Sequence, residues 1–260
     1  MNHLKINYTA ASNQGQRRSN QDNLCVGRQL PFIEQPEHPF SAEGSLLTDT
    51  VQIFCVCDGV GGARMGDIAA LMALEAVSQA VYTDPQQPLT DLVLEAAEAA
   101  QKSVTSFFSS LGHSGGCTLV LLAVHRKDYV FVNIGDSPAF HWMQAENELT
   151  ELSCRHNLEW HKQRMGLEPE PGDSRYLMAY IGKVGMTVKD MAHIAAGTLE
   201  PGDCLLLCSD GITNAIDGDD LRDALCSGAD ANTLATSAAD VEYADNCTAI
   251  CLTVGEAEEP

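Results

Sequence analysis

Short uninterrupted apolar runs, closed off by polar or turn-forming residues, recur along the chain and read as strands. They cover residues 53–57, 118–124, 129–134, 204–208 and 249–254, with shorter candidates at 24–26 and just after Asp245. Between the first two runs lie two stretches of helical period. Residues 67 to about 82 place Ile68, Leu71 and Met72 on one stripe, and residues 90–108 place Val93, Ala97, Ala100, Val104 and Phe107 at alternating spacings of four and three. Thr90 before Asp91 predicts a helix cap and a favourable first-turn charge. Further helices are expected to start near Asp219 or Asp220 and near Asp230. Residues 29–48, with Pro31, Pro36 and Pro39, and residues 158–176, with Gly166, Pro169, Pro171 and Gly172, lack either period and read as surface excursions. The order is strands, two helices, a long run of strands, short helices and a last strand. This is not the alternation of a doubly wound parallel sheet; it predicts an α+β layered domain with mainly antiparallel sheets, one unit over residues 1–260.

Composition narrows the class. The 260 residues are 45% hydrophobic, enough for a core, which excludes global disorder. No apolar run approaches the roughly 18 residues of a membrane helix, and the start, MNHLKINYTA, has no secretory pattern. A cytoplasmic protein without membrane contact is expected. The 36 acidic against 15 basic residues give a net charge of −21, and the densest basic patch is Gln16-Arg17-Arg18. Nucleic acid, which needs clustered cations, is a poor partner for such a chain. Ten cysteines occur without a CxxC pair, and Cys55, Cys57, Cys204, Cys208, Cys247 and Cys251 lie in apolar runs. They are expected to be reduced and packed as small hydrophobes.

Candidate chemistry lies in five aspartates at strand ends: Asp22, Asp58, Asp136, Asp210 and Asp245. A carboxylate at a strand terminus is held by rigid backbone, and a neighbouring glycine lets the chain turn and brings its carbonyl close to whatever the carboxylate binds. Such positions suit hard divalent cations. One Asp-Gly pair means little, being a common turn, and Asp217-Gly218 is assigned to an ordinary turn; the set carries the argument.

Four blocks occur in order: Gly15-Gln16-Arg17-Arg18-Ser19-Asn20-Gln21-Asp22, then Cys57-Asp58-Gly59-Val60-Gly61-Gly62, then Ile134-Gly135-Asp136-Ser137, then Ser209-Asp210-Gly211 with Asp245-Asn246. Secondary matches are Gly116-Cys117-Thr118, Cys154-Arg155-His156-Asn157 and Pro201-Gly202-Asp203. Over about residues 9–254 the chain resembles the metal-dependent serine/threonine protein phosphatases of the protein phosphatase 2C family, in their compact bacterial form. The resemblance implies a four-layer α-β-β-α sandwich with two central antiparallel sheets. It implies hydrolysis of phosphoserine and phosphothreonine in proteins by a water shared between two Mn²⁺ or Mg²⁺ ions. Asp58 would bridge both ions, the Gly59 carbonyl would contact one, Asp210 and Asp245 would bind the other, and Asp136 matches a third-ion position. Asp22 would hold water on the metals, and Arg17 would grip the phosphate in a bidentate fork. Oxygen-only ligation is what Mg²⁺ and Mn²⁺ prefer.

The implied partners are phosphorylated proteins and a cognate Ser/Thr kinase, in bacteria sometimes in control of type VI secretion, and the chain is expected to be a monomer. Two residues depart from the family pattern. Gln21 stands where many members carry Glu, removing one carboxylate, and Val60 stands where eukaryotic members have a histidine, so no side chain there can protonate the leaving group. His156, Trp142 and Trp160 are expected to be structural. Residues 158–176 fall where the family carries its flap. Two alternatives are a pseudophosphatase that binds phosphoproteins without turnover and a structural Ca²⁺-binding protein. All the metal aspartates are present, which disfavours the first, and no DxDxDG-type loop occurs, which disfavours the second.

Overall fold

The computed structural model describes residues 3–60, 65–80 and 87–257. In chain order these form β1 (Leu4–Asn13), β2 (Asp22–Val26), β3 (Phe40–Leu47), β4 (Gln52–Asp58), α1 (Gly66–Ala80), α2 (Leu89–Leu111), β5 (Leu119–His125), β6 (Asp128–Ile134), β7 (Ala139–Met143) and β8 (Glu148–Glu151). There follow α3 (Leu158–Arg164), α4 (Val188–Met191), β9 (His193–Thr198), β10 (Cys204–Cys208), α5 (Asp210–Ala215), α6 (Gly218–Cys226), α7 (Ala231–Ala239) and β11 (Cys247–Glu256). One sheet has the order β3-β1-β11-β10-β7-β8 and the other β2-β4-β5-β6-β9, with every paired neighbour antiparallel.

Three apolar layers hold the sheets and helices together. Along β4, Ile53, Cys55 and Cys57 face α1 and α2, whereas Phe54 and Val56 face the space between the sheets. Strands β5, β10 and β11 divide in the same way: Leu205 and Leu207 point into the sandwich, Leu206 and Cys208 toward α5, α6 and α7. Burial on both faces is why these strands read as continuous apolar runs with no polar alternation. The result is the four-layer α-β-β-α sandwich.

Several expectations shift. Helix α1 buries Ala69, Ala70, Ala73, Leu74 and Val77, and the expected stripe of Ile68, Leu71 and Met72 is only half-buried at its flank. The expected end near residue 82 lies outside the described residues, as do Gly61 and Gly62 of the second block. Helix α2 begins one residue earlier than expected, with Pro88 at the cap position, so Thr90 lies inside the helix and caps nothing; Gly112 ends it in the left-handed region. Residues 29–48 are not wholly irregular, since β3 occupies their second half, and 158–176 contains α3, capped by Asn157, whose side chain accepts from Trp160 N–H at 3.0 Å. Asp217 is no simple turn residue; it caps α6 by accepting from the Asp219 and Asp220 N–H groups. Helix α7 starts where expected, and Asp230 caps it by accepting from Thr233 N–H.

Strands β1, β3, β7, β8 and β9 carry no continuous apolar run. Two of them are edge strands made up with glycine: Tyr8 lies across from Gly44 of β3, and Tyr129 across from Gly197 of β9, each ring filling the space of the missing side chain. The ten cysteines are all free thiols. Seven are buried, Cys154 and Cys204 are half-buried, and Cys226 is exposed. Burial pushes the Cys55, Cys57, Cys117 and Cys208 thiols well up, and those of Cys247 and Cys251 to about 12. Asp203 of the Pro201-Gly202-Asp203 match is an internal anchor: its carboxylate accepts from His141 Nε2 at 3.0 Å and from the Glu200 and Gln144 N–H groups.

Candidate active site

Strand pairing gathers the aspartates. Asp22 opens β2 and lies directly opposite Asp58, the last residue of β4. In the other sheet β10 and β11 pair antiparallel, so Asp210, which follows β10, and Asp245, which precedes β11, emerge at the same end. Asp136 leaves β6 beside them. Asp58, Gly59, Asp136, Asp210 and Asp245 line one cleft of about 1830 Å³, with Arg17, Gln21 and Val60 also on its wall. The two sheets therefore contribute jointly to one edge site.

Asp22 stands behind that wall. It is 1% exposed, its Oδ2 accepts from Ser209 Oγ at 2.6 Å, and its Oδ1 has no hydrogen-bond partner among the described residues. Arg17 is exposed and places Nη2 2.5 Å from Asp245 Oδ2. A second guanidinium, that of Arg155, lines the cleft and contacts Glu151 at 3.4 Å.

Burial and mutual repulsion govern the carboxyls. Burial first, then Asp22, Asp210, Asp136 and Asp245, push Asp58 well above the carboxylate range. Asp22 is pushed up to about 7 by burial, against hydrogen bonds from Ser209 and Thr248 and with added repulsion from Asp210 and Asp245. Asp136 also rises to about 7 through burial and Asp210, partly offset by Arg155. Asp210 is raised by burial and then by Asp245. Arg17 and Arg155 leave the negative charge of such a cluster only partly neutralised.

A pair of hard divalent cations fits this donor set. The donors are all oxygen, with neither His nor Cys among the cleft-lining residues. One buried carboxylate oxygen is unpartnered, and the repulsion that raises these pKa values is what a cation removes. No three of the described carboxylates converge on one point at ligand distance. Mg²⁺-like ions need no such cage, because they keep several waters and bind through one or two carboxylates.

Motif residues to which the sequence assigned no catalytic or metal role hold the site in shape. Asn246 donates to the Gln14 and Ser19 carbonyls at 2.8 and 3.0 Å and accepts from Gln21 N–H at 2.9 Å, fastening the Arg17 loop to the Asp245 segment. Ser209 joins the two sheets, donating to Asp22 and accepting from Thr248 N–H at 3.0 Å. Thr118 Oγ1 accepts from Asp58 N–H at 3.0 Å and meets Ser137 Oγ at 2.7 Å. A side chain at Gly59 would meet the Gly66 backbone at 2.5 Å, and one at Gly211 the Asn246 carbonyl at 2.0 Å, so both positions exclude a Cβ. His156 is structural: its Nδ1 accepts from Gly135 N–H at 3.1 Å, and burial, then His193, lowers its pKa to about 4. Trp142 is buried as expected, whereas Trp160 lies on the cleft wall, edge-on to His156 and under Arg164. Asn246 and Ser209 each adjoin a block aspartate, and that adjacency was the available signal; Thr118 closes the Gly116-Cys117-Thr118 match instead. Trp160 reaches the cleft from α3, and Tyr176 and Tyr243 from loops, for which sequence spacing offers no signal; Arg155 lies in the Cys154-Arg155-His156-Asn157 match, which assigns it no role.

Comparison with known proteins agrees with this geometry. The family model described as Protein phosphatase 2C matches residues 44–242, which include Asp58, Gly59, Asp136 and Asp210 and leave out Arg17, Asp22 and Asp245. Serine/threonine phosphatase stp of Listeria welshimeri is 30% identical over 191 residues, 69% of this chain and 73% of that protein. Protein phosphatase PhpP of Streptococcus pneumoniae is 30% identical over 179 residues, 66% and 72% of the two chains. The catalytic domain of the serine/threonine phosphatase PstP, solved with two manganese ions, superposes with a TM-score of 0.76 at 19% identity over 97% of this chain and 100% of that one. PppA of Pseudomonas aeruginosa, described as a key regulatory component of its type VI secretion system, gives 0.74 at 22% identity, covering 97% and 100%.

Proposed function

Since the chain belongs to the protein phosphatase 2C family, we propose that it hydrolyses phosphoserine and phosphothreonine in proteins, using two Mn²⁺ or Mg²⁺ ions held at the strand-end carboxylates. The observation that carries this reading is the convergence of Asp58, Asp136, Asp210 and Asp245 from two sheets onto one cleft, with the unpartnered Asp22 oxygen behind it. Asp58 would serve both ions, with the Gly59 carbonyl on one and Asp210 and Asp245 on the other; Asp136 would offer a third position. The ions would supply Lewis-acid activation of water and neutralise the phosphoryl oxygens.

The chain's own groups do the rest. Arg17 presents a planar fork at the cleft and, in exchanging Asp245 for a phosphoryl group, would orient the ester for in-line attack. Asp22, fixed by Ser209, would hold a proton or a water at its free Oδ1. Val60 brings no proton donor, so leaving-group protonation falls to solvent. Gln21 leaves the neighbourhood of Asp58 one charge poorer and weakens cation binding there. All five aspartates of the family pattern are present in the chain, which argues against the pseudophosphatase alternative.

The natural substrates would be phosphoproteins of a cognate Ser/Thr kinase, met in the cytoplasm by a monomer acting as one catalytic unit. No helix among the described residues is long and apolar enough to cross a membrane. The test is hydrolysis of a phosphothreonine peptide with Mn²⁺, with excess EDTA, and by Asp58→Asn. Turnover that requires both metal and Asp58 is expected; a folded protein inert in every divalent cation would overturn the reading.

A further inference from the structure

Among the described residues, four other than glycine adopt positive φ: Met65 at 84°, Arg126 at 57°, Asn147 at 54° and Tyr243 at 64°. Arg126 and Asn147 sit in the tight β5–β6 and β7–β8 hairpins, where turn geometry calls for that conformation. Tyr243 has no hairpin to account for it. It is the third residue of a turn closed by Ala244 N–H on the Val241 carbonyl at 3.3 Å, and positive φ at that position ordinarily selects Gly or Asn. A bulky residue held there is strained. Its ring gains little from packing, since Tyr243 is 85% exposed. It lines the mouth of the cleft beside Glu242, two residues before Asp245. Strain kept without any packing gain, at the lip of a reactive cleft, needs a cause outside the free protein.

We propose that Tyr243 selects substrate, its exposed ring and the neighbouring Glu242 carboxylate receiving a basic side chain next to the phosphoresidue of a protein substrate. The proposal rests on the phosphatase reading and extends it. A cation over a tyrosine face beside a carboxylate is attracted by both. Asp67, Glu159 and Glu242 line the same cleft, and the net charge of −21 steers basic segments toward it. Arg18 and Arg175 also line the cleft and would favour the opposite, an acidic flank. Substrate choice decides between them.

The experiment compares phosphothreonine peptides flanked by Arg or by Glu with p-nitrophenyl phosphate, using the full chain with Mn²⁺ and the variants Tyr243→Gly and Tyr243→Phe. The unaltered protein is expected to prefer the Arg-flanked peptide. In Tyr243→Gly the kcat/KM for that peptide relative to the small ester should fall about tenfold, through KM, while Tm rises by about 2–4 °C as strain is relieved. Tyr243→Phe, which keeps the ring, should retain the ratio within about twofold. An unchanged ratio in Tyr243→Gly, a lower Tm, or a preference for acidic flanks would overturn the proposal. Peptide affinity by fluorescence anisotropy decides the same point without turnover, with the same tenfold loss expected in Tyr243→Gly. Failure of the unaltered protein to hydrolyse either substrate would then count against the phosphatase reading alone.

Discussion

Replacing Asp58 by Asn should stabilise the metal-free protein while abolishing its catalysis. Asp22 and Asp58 both titrate above their unfolded values. Folded protein therefore retains protons that the unfolded chain releases. For Asp22 this contribution to stability is fully present below about pH 4 and is lost as pH rises through about 7. For Asp22 alone, moving a carboxyl from 3.8 to about 7 corresponds to stability on the order of 4 kcal/mol that is present in acid and gone by pH 8. Burial of Asp22 survives the substitution; what Asn removes is the buried Asp58 charge and its repulsion with Asp22, Asp210, Asp136 and Asp245, worth on the order of 1–2 kcal/mol. In EDTA at pH 8 the variant should melt about 3–6 °C above the parent, and the gap should shrink toward pH 5, where Asp22 is protonated and no longer repels Asp58. With Mn²⁺ the order should reverse, because the parent gains binding energy that the variant has lost. Calorimetry across pH, with and without metal, checks this. A variant that melts below the parent in EDTA at pH 8, or a gap independent of pH, would refute the electrostatic account of the cluster.

Other substitutions probe different parts of the molecule. Arg17→Lys should lower kcat/KM for a phosphopeptide by about 10- to 100-fold, because an ammonium cannot form the fork; the exposed pair with Asp245 makes its stability effect no more than about 0.5 kcal/mol by urea titration. His156, whose folded pKa lies near 4, acts oppositely to the carboxyls: its contribution is complete above about pH 6.5 and disappears as pH falls toward 4. The stability difference between the parent and His156→Gln should thus grow by about 3 kcal/mol from pH 4 to 7, measured by denaturant unfolding. Asp203→Ala leaves His141 and two buried-side N–H groups without an acceptor and should cost about 3 kcal/mol by the same assay, with turnover per folded molecule unchanged.

How much could be read in advance depended on where each residue sits. Strands such as β4 and β10 announce themselves because both faces are buried, whereas β3 and β9 borrow their packing from Tyr8 and Tyr129 across the pair and look like loops. Helix α3 buries no residue, so nothing periodic marks it. Within the site, the aspartates were legible as strand-end positions. That Asp22 would turn behind the wall to Ser209, and that Arg17 would reach Asp245, depends on contacts across 187 and 228 residues of sequence. Tyr243 was hidden for a different reason: only its φ distinguishes it from any exposed aromatic.

The thiol-filled interior has a practical corollary. Since seven cysteines are buried and Cys226 alone is exposed, a thiol-reactive dye should tag the native molecule rapidly at one place, on α6. The remaining sulfurs then act as clocks distributed through the layers. Cys55 and Cys57 time the opening of the α1/α2 side, and Cys208 and Cys251 the opening of the α7 side. Mass-resolved labelling over hours would show whether the two halves of the sandwich come apart together or one before the other.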